Sequence, residues 1–182
     1  MLRDSPLIPS EAIRLAALGM LAQEPKAYAT LAREVRHFAS RLIGPSLDLM
    51  GSSLELLRHE GLVERAGGGT SGLTAPETEL RITDAGRAEF EMLLQAPLRA
   101  PVNDFGKFVI ALKLMFLDRL PAAARREQID LLIELYEGEV ARVSDLRRHH
   151  DSGQLGPWLD HEVAQAEERL KWFRELRARL GR

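Results

Sequence analysis

The segment from Leu54 to Arg87 restricts the fold more than any other part of the chain. It opens with an amphipathic helix that Gly61 can end, because glycine readily adopts the left-handed conformation of a helix cap. A strand follows at once, and a second strand at residues 80–82 leads into Thr83, whose hydroxyl can cap another helix. The glycine-rich residues 66–72 between the strands are typical of the tip of a β-ribbon. The segment therefore predicts helix, ribbon and helix, in that order.

Two further helices are predicted before this segment. Apolar residues recur at helical spacing from Glu11 to Gln23 and from Tyr28 to Leu42. Ser10 is a plausible cap of the first helix, and Ser46 is a plausible cap of the helix that Gly61 ends. Consecutive helices followed by a β-ribbon form a winged helix-turn-helix, an arrangement that places one helix in the major groove of DNA.

Two prolines, Pro97 and Pro101, mark a joint after the helix that starts at Thr83. We place the domain boundary there, with residues 1–96 as the winged domain and residues 97–182 as a helical domain. Beyond the joint no strand pattern remains, and the predicted helices cover residues 104–119, 122–149 and 157–180. The predicted fold is therefore mainly α with a small β-ribbon: a winged helix-turn-helix followed by an all-α dimerisation domain.

The composition excludes several classes of protein. The 182 residues include 25 basic and 27 acidic side chains, a net charge of −2, so coating of nucleic acid by charge alone is not expected. Cysteine is absent, which removes disulfides and thiolate zinc sites and fits a reducing cytoplasm. No stretch has the character of a signal peptide or a membrane span. We expect a cytoplasmic protein without membrane contact, whose DNA binding depends on a local basic face.

The outer side of the predicted second helix is basic. Its outward positions are Arg33, Arg36, His37 and Arg41. Cations at this spacing can follow a DNA backbone and contact its phosphates without reading the sequence. Arg65 and Arg81 fall on the two strands of the ribbon, where they can meet the adjacent minor groove. The alternative for all of these residues is a solvated charged surface.

The third predicted helix offers candidate base contacts. A helix in the major groove reads bases through short polar side chains near its amino end, and Ser52 and Ser53 are of that kind. Glu55 can accept a hydrogen bond from a cytosine amine, whereas Asp48 can do so or can simply favour the positive end of the helix dipole. The alternative is that these residues form only the solvated face of an ordinary helix.

The three C-terminal helices are longer and more apolar than one small domain needs, because the longer ones extend roughly 35 to 40 Å at 1.5 Å per residue. Pairing with a second copy of the chain would bury the excess. The candidate dimerisation residues are Phe105, Phe108, Leu112, Phe116, Leu170, Trp172, Phe173 and Leu176. Trp158, Trp172 and Tyr136 can instead line a pocket for a small-molecule effector, or belong to the core.

Catalytic motifs are absent from the sequence. It contains no nucleophile elbow, phosphate-binding loop, helical metal-binding histidine pair or dinucleotide fingerprint. His149, His150, Asp151 and His161 are of types that bind zinc, but their spacing is not that of a known site. We therefore predict no enzyme, no metal centre and no cofactor.

Three parts of the chain together resemble the PadR family of transcriptional regulators. Leu15 to Leu21 resembles the opening helix of that family. Leu54 to Val63, followed by Arg81 to Arg87, is similar to the end of its recognition helix and to the helix after its wing. Phe105 to Leu117 and Gln165 to Leu176 look like the C-terminal domain of the virulence-activator branch. The resemblance covers nearly the whole chain, and it depends on the order and spacing of the three parts.

The resemblance implies a homodimer, held by the C-terminal helices, that binds a roughly palindromic DNA operator as a repressor or, less often, an activator. It also implies that Ser46, Ser52 and Ser53 contact DNA from the recognition helix. Two departures bear on this function: Gly51-Ser52 replaces the Tyr-Pro of the family, and residues 67–75 contain no lysine or arginine. The alternative function is therefore a protein-interaction module on a winged scaffold with weak or no DNA binding.

Overall fold

Two compact units make up the chain. The computed structural model describes residues 5–43, 50–67, 75–150 and 152–180, and it describes the side chains of the third helix from Leu54 onward. The first unit comprises Met1–Pro97 and Asp104–Leu117, and the second comprises Leu98–Asn103 and Asp118–Arg182.

The first unit has the element order of a winged helix-turn-helix. Its elements are α1 (Pro9–Gln23), β1 (Lys26–Ala27), α2 (Tyr28–Ile43), α3 (Met50–His59), β2 (Val63–Arg65), β3 (Glu79–Ile82), α4 (Asp84–Leu94) and α5 (Asp104–Phe116). The three strands form an antiparallel sheet in the order β1-β3-β2. This confirms the predicted fold class of mainly α with a small ribbon, and it adds β1, a strand that the sequence pattern does not predict.

Helix α1 is the centre of the first unit. Every residue from Leu15 to Leu21 is buried, and a helix that is apolar on nearly all sides needs neighbours on all sides. Helices α2, α3, α4 and α5, together with β3, supply those neighbours. Gly19 lies so close to the Phe116 ring that a Cβ at this position would collide with it, so α5 crosses α1 at the glycine.

The start of α1 differs from the prediction. The helix begins at Pro9, so Ser10 lies inside its first turn and is not its cap. The Glu11 carboxylate instead accepts a hydrogen bond from the Ile8 amide at 2.9 Å. Proline is well suited to the first turn, where an amide hydrogen would have no partner within the helix.

Helix α5 packs within the first unit, whereas the predicted boundary after residue 96 assigns it to the C-terminal domain. Phe108 is fully buried, and its ring lies 5.8 Å from that of Phe38 on α2. Phe116 meets Phe90 of α4 edge-on at 5.6 Å. The prolines at 97 and 101 therefore interrupt the helix without interrupting the hydrophobic core.

The second unit is a helical hairpin of α6 (Ala122–His149) and α7 (Leu155–Arg179), which begins two residues before its predicted start. The helices are antiparallel, since their ion pairs are Asp130–Arg177, Glu137–Arg174 and Arg147–Asp160. In its core the Tyr136 ring stacks on Phe173, with ring centroids 5.3 Å apart. None of the described helices is long and apolar enough to cross a membrane.

A glycine cap ends α3. Gly61 has a φ of 71°, and the Leu62 amide donates a hydrogen bond to the Leu57 carbonyl at 2.9 Å. The Gly61 amide bonds to the Arg58 carbonyl at 3.0 Å. This is a Schellman-type cap, in which a left-handed residue turns the chain out of the helix, and it confirms the predicted role of Gly61.

The Thr83 side chain joins the end of α3 to the start of α4. Its hydroxyl accepts a hydrogen bond from the Gly86 amide at 3.0 Å, which confirms the predicted cap. The same hydroxyl donates to the Gly61 carbonyl at 2.8 Å, and the Thr83 amide donates to the Leu62 carbonyl at 3.1 Å. One side chain thus fixes the exit of α3 relative to α4.

A buried lysine lies in the core of the first unit. Lys113 of α5 is 2% exposed, and its ammonium donates a hydrogen bond to the carbonyl of Leu94, the last residue of α4. Burial removes water from the charged form and lowers the pKa of Lys113 from 10.5 to about 7.

We expect Gly86→Ala to destabilise the first unit. A Cβ at this position would collide with the Leu62 carbonyl oxygen and with the Ile82 side chain, and such overpacking costs about 1–3 kcal/mol. Gly138→Ala is the matched control, because Gly138 lies within α6 with open space around it and alanine there favours the helix by about 0.5–1 kcal/mol. Urea unfolding followed by circular dichroism measures both, and a neutral Gly86→Ala would show that the α3–α4 joint adjusts freely.

We also expect Lys113 to make stability depend on pH. Between about pH 7 and pH 10 the unfolded state keeps a proton that the folded state has lost, so the contribution of Lys113 rises with pH. Lys113→Met removes this contribution. The unfolding free energy of the wild type minus that of the variant should grow by on the order of 2 kcal/mol from pH 7 to pH 9. Parallel profiles for the two proteins would mean that the amine stays charged in the fold.

Candidate nucleic-acid interface

The exposed face of α2 carries four basic side chains. Arg33, Arg36, His37 and Arg41 are all exposed, whereas the opposite side of the helix is buried through Leu31, Val35 and Ala39. The predicted outward face of α2 is therefore confirmed. Within the residues that the structure describes, the three arginines have no carboxylate partner, so their charge remains available to an external anion.

The two ribbon arginines lie on opposite faces of the sheet. Arg81 pairs in register with Glu64, and Arg65 pairs with Leu80. Residues paired across strands share a face, and successive residues alternate between faces. The structure therefore does not bring Arg65 and Arg81 together, although both are exposed.

A carboxylate also neutralises one of these arginines. The Arg81 Nε donates a hydrogen bond to Glu64 Oε1 at 2.7 Å. A phosphate can bind Arg81 only in competition with Glu64, whereas Arg65 has no such neighbour among the described residues. No local pattern in the sequence identifies this pair, because it depends on the register of β2 against β3.

From Leu54 onward, the buried and exposed sides of α3 are those predicted from the sequence. Leu54 and Leu57 are buried, and Glu55 and His59 are exposed. Ser52 and Ser53 lie in the first half of the helix, but their side chains fall outside the described part of the structure. Ser46 and Asp48 also lie outside the described residues.

The predicted dimerisation residues of α5 belong to the core of their own unit. Phe108, Leu112 and Phe116 are at most 1% exposed, and Phe105 is half-buried with its ring 6.5 Å from that of Phe108. The three buried side chains already have their contacts within the first unit. This part of the predicted dimer surface does not correspond to an exposed face.

The predicted dimerisation residues of α7 divide between the hairpin core and its surface. Leu170 and Phe173 are buried against α6, and Leu176 is half-buried. Trp172 is 43% exposed, and its ring meets that of Phe173 edge-on at 5.0 Å. Trp158, which is not among the predicted dimerisation residues, is 54% exposed. The spacing of the two tryptophans, two heptads apart, is the signal that would have identified them as a pair.

Two histidines of the second unit have hydrogen-bond partners on their own helices. His149 Nδ1 lies 2.8 Å from the Asp145 carbonyl, and His161 Nε2 lies 2.7 Å from the Gln165 amide. Asp151 lies outside the described residues, and among those described no three His, Cys, Asp or Glu side chains are grouped as metal ligands. Tyr136 is buried, which raises the pKa of its hydroxyl, whereas Trp158 and Trp172 are exposed.

Comparison with known proteins identifies the family. The sequence matches the family of AphA-like transcriptional regulators over residues 2–177. No curated protein matches the chain significantly. DNA binding is implied by the matched family, whose members are regulators and not enzymes, as the sequence predicted.

Among the solved structures that the chain matches are proteins from two organisms. The chain is 14% identical to PadR of Bacillus subtilis, with a TM-score of 0.41 over 98% of this chain and 99% of that one. For the same protein in complex with operator DNA, the identity is 15% and the TM-score 0.39 over 97% and 99%. For smu.1604c from Streptococcus mutans UA159, the identity is 18% and the TM-score 0.39 over 94% and 99%. These likenesses are too distant to transfer any contact.

The family match covers residues 2–177, which begin before α1 and reach the last turn of α7, so it includes nearly all of both compact units. It agrees with the resemblance to PadR-type regulators and with the winged first unit. This chain belongs to the family of AphA-like transcriptional regulators.

Proposed function

We propose that this protein is a homodimeric, sequence-specific DNA-binding regulator of the cytoplasm that acts as a repressor at a roughly palindromic operator. The α2 arginines contact phosphates, and the N-terminal half of α3, with Ser52 and Ser53, meets the bases. The observation that carries the proposal is the basic face of α2, unpaired within the described residues, in a chain whose net charge is −2.

The distribution of ion pairs supports this assignment of the basic face. Many arginines of the second unit are neutralised by carboxylates, as in Arg142–Glu139, Arg147–Asp160 and Arg177–Asp130. In contrast, Arg33 and Arg36 keep uncompensated charge on one exposed helix face. Because a nearly neutral chain binds DNA only where positive charge is concentrated, this face is the best candidate for phosphate contact.

Exposed aromatic residues on α7 support the homodimer. Trp158 and Trp172 are 14 residues apart, so they project within about 40° of each other and roughly 21 Å apart along the helix. Both rings are close to half exposed or more, and large aromatic side chains are enriched at the centres of protein interfaces. A second copy of the chain that packs on this face would bury both rings and would present two winged units to the two halves of a palindrome.

The phosphate contacts are tested by the salt dependence of binding. A duplex selected by the wild-type protein from a random-sequence pool serves as the probe. We expect Arg33→Gln and Arg36→Gln each to reduce the slope of log affinity against log salt by about 1.8, since a dimer loses two contacts of about 0.9 each. The loss should be similar for selected and scrambled duplexes, because phosphates carry no sequence information.

Arg179→Gln is the charge-matched control, since Arg179 is exposed at the end of α7. It should leave the slope nearly unchanged. A wild-type protein that selects no sequence, and binds every duplex with micromolar affinity and a flat salt dependence, would instead favour a protein-interaction module.

The dimer face is tested by sedimentation equilibrium. Trp172→Ala should weaken self-association by about 2 kcal/mol or more, as expected for an aromatic residue at the centre of an interface. Glu167→Ala, an exposed substitution on a different side of α7, is the control and should leave the dissociation constant within a few-fold of the wild type. If both variants remain dimeric to the same extent, the dimer uses another surface.

A further inference from the structure

Arg14 links three elements of the first unit. It lies on α1, and its side chain is 18% exposed. Its Nη1 and Nη2 atoms both donate hydrogen bonds to the Glu60 carboxylate, and Nη2 also lies 3.4 Å from Glu89 Oε1 on α4. Glu60 is the first residue after α3. A single guanidinium therefore ties α1 to the end of α3 and to α4.

Glu60 occupies a position that is unfavourable for a carboxylate on its own. The C-terminal end of a helix carries a partial negative charge, which repels an acidic side chain. The adjacent guanidinium of Arg14 offsets this repulsion. The contact is also forked, with two N–H groups opposite two carboxylate oxygens, and such a pair fixes direction as well as distance.

The buried side chains of α3 that the structure describes are apolar and do not fix its direction to the same degree. Leu54 and Leu57 hold the helix against the core, but hydrophobic contact is non-directional. Among the described residues, the directional contacts of α3 lie at its C-terminal end. They are the Gly61 cap, the Thr83 hydroxyl and the Arg14–Glu60 pair.

A small change in the direction of α3 near Glu60 displaces the N-terminal end of the helix by a larger distance. The helix has 10 residues, so its ends lie roughly 15 Å apart, and a rotation of about 5° moves the far end by about 1.3 Å. Hydrogen bonds to base edges tolerate a range of only about 0.5 Å. The direction set near Glu60 therefore decides whether the first half of α3 reaches its partners.

We infer that Arg14 is a positioning residue for DNA reading: through its ion pair with Glu60 it holds α3 at the angle at which the helix meets the bases. The inference rests on the proposed function, because it takes α3 to be the reading helix. Arg14 itself acts from within the protein and makes no contact with DNA.

The test compares two affinities of each variant, one for the selected duplex and one for a scrambled duplex of the same length and composition. Arg14→Met removes a positive charge, and Glu60→Gln removes a negative charge, so their long-range effects on DNA binding have opposite signs. Their effects through the direction of α3 have the same sign. We expect both variants to lower the ratio of selected to scrambled affinity roughly 3- to 30-fold.

Three further variants sharpen the result. The double variant Arg14→Met with Glu60→Gln should lower the ratio no further than the more affected single variant, because both remove one interaction. Arg14→Lys should recover part of the ratio, since an ammonium can still pair with Glu60. Arg179→Met, which removes an exposed charge from the second unit, should leave the ratio unchanged.

The ratio separates positioning from stability. A smaller folded fraction reduces the affinities for both duplexes by the same factor, so a merely structural role of Arg14 would leave their ratio unchanged. If wild-type protein selects a sequence and both single variants keep the wild-type ratio, the inference is overturned and the proposed function stands. If wild-type protein selects no sequence, the proposed function fails first, and this inference fails with it.

Discussion

The hydroxyl of Thr83 is the interaction on which the winged unit depends. It donates to the carbonyl at the end of α3 and accepts from the first turn of α4, at 2.8 and 3.0 Å. The strands of the ribbon lie between these two helices in sequence, so the same oxygen joins two positions that are 22 residues apart in the chain. Serine could make both hydrogen bonds, whereas valine, which has nearly the same shape, could make neither.

The parts of the fold that follow local rules could be predicted from the sequence. Helical spacing gave the exposed and buried sides of α2, and a left-handed glycine explains the end of α3. Strand β1 could not be predicted, because two residues are too few to show an alternating pattern. The position of α5 could not be predicted from Pro97 and Pro101, which mark breaks in a helix but carry no information about which core the next helix enters.

One signal for the position of α5 was present in α1. Its run of buried residues from Leu15 to Leu21 is too apolar for a helix with solvent on any side, and the small side chains at 16, 17 and 19 allow close approach of other helices. The four helices and ribbon of a minimal winged domain leave part of α1 uncovered. The requirement to cover it, rather than any feature of α5 itself, indicates a further helix in the first unit.

The candidate site also has features that the sequence predicts and features that it does not. The exposed arginines of α2 follow from periodicity, but the Arg14–Glu60 pair joins residues 46 positions apart, and no local pattern encodes it. The Glu64–Arg81 pair depends on the register between β2 and β3. The sequence alone does not determine that register. Long-range ion pairs are set by tertiary packing, so they are the part of a site that a single sequence reveals least.

The alternation of faces along the ribbon has a consequence for recognition. The face that carries Arg65 also carries Leu80 and Ile82, which are buried, so a flat surface can lie only against the face of the Arg81–Glu64 pair. On that face an approaching phosphate meets an ion pair that must open before Arg81 can bind it, whereas Arg65 lies on β2, an edge strand of the sheet. The ribbon is therefore a one-sided contact, whose strength depends on its orientation and not on the number of its arginines.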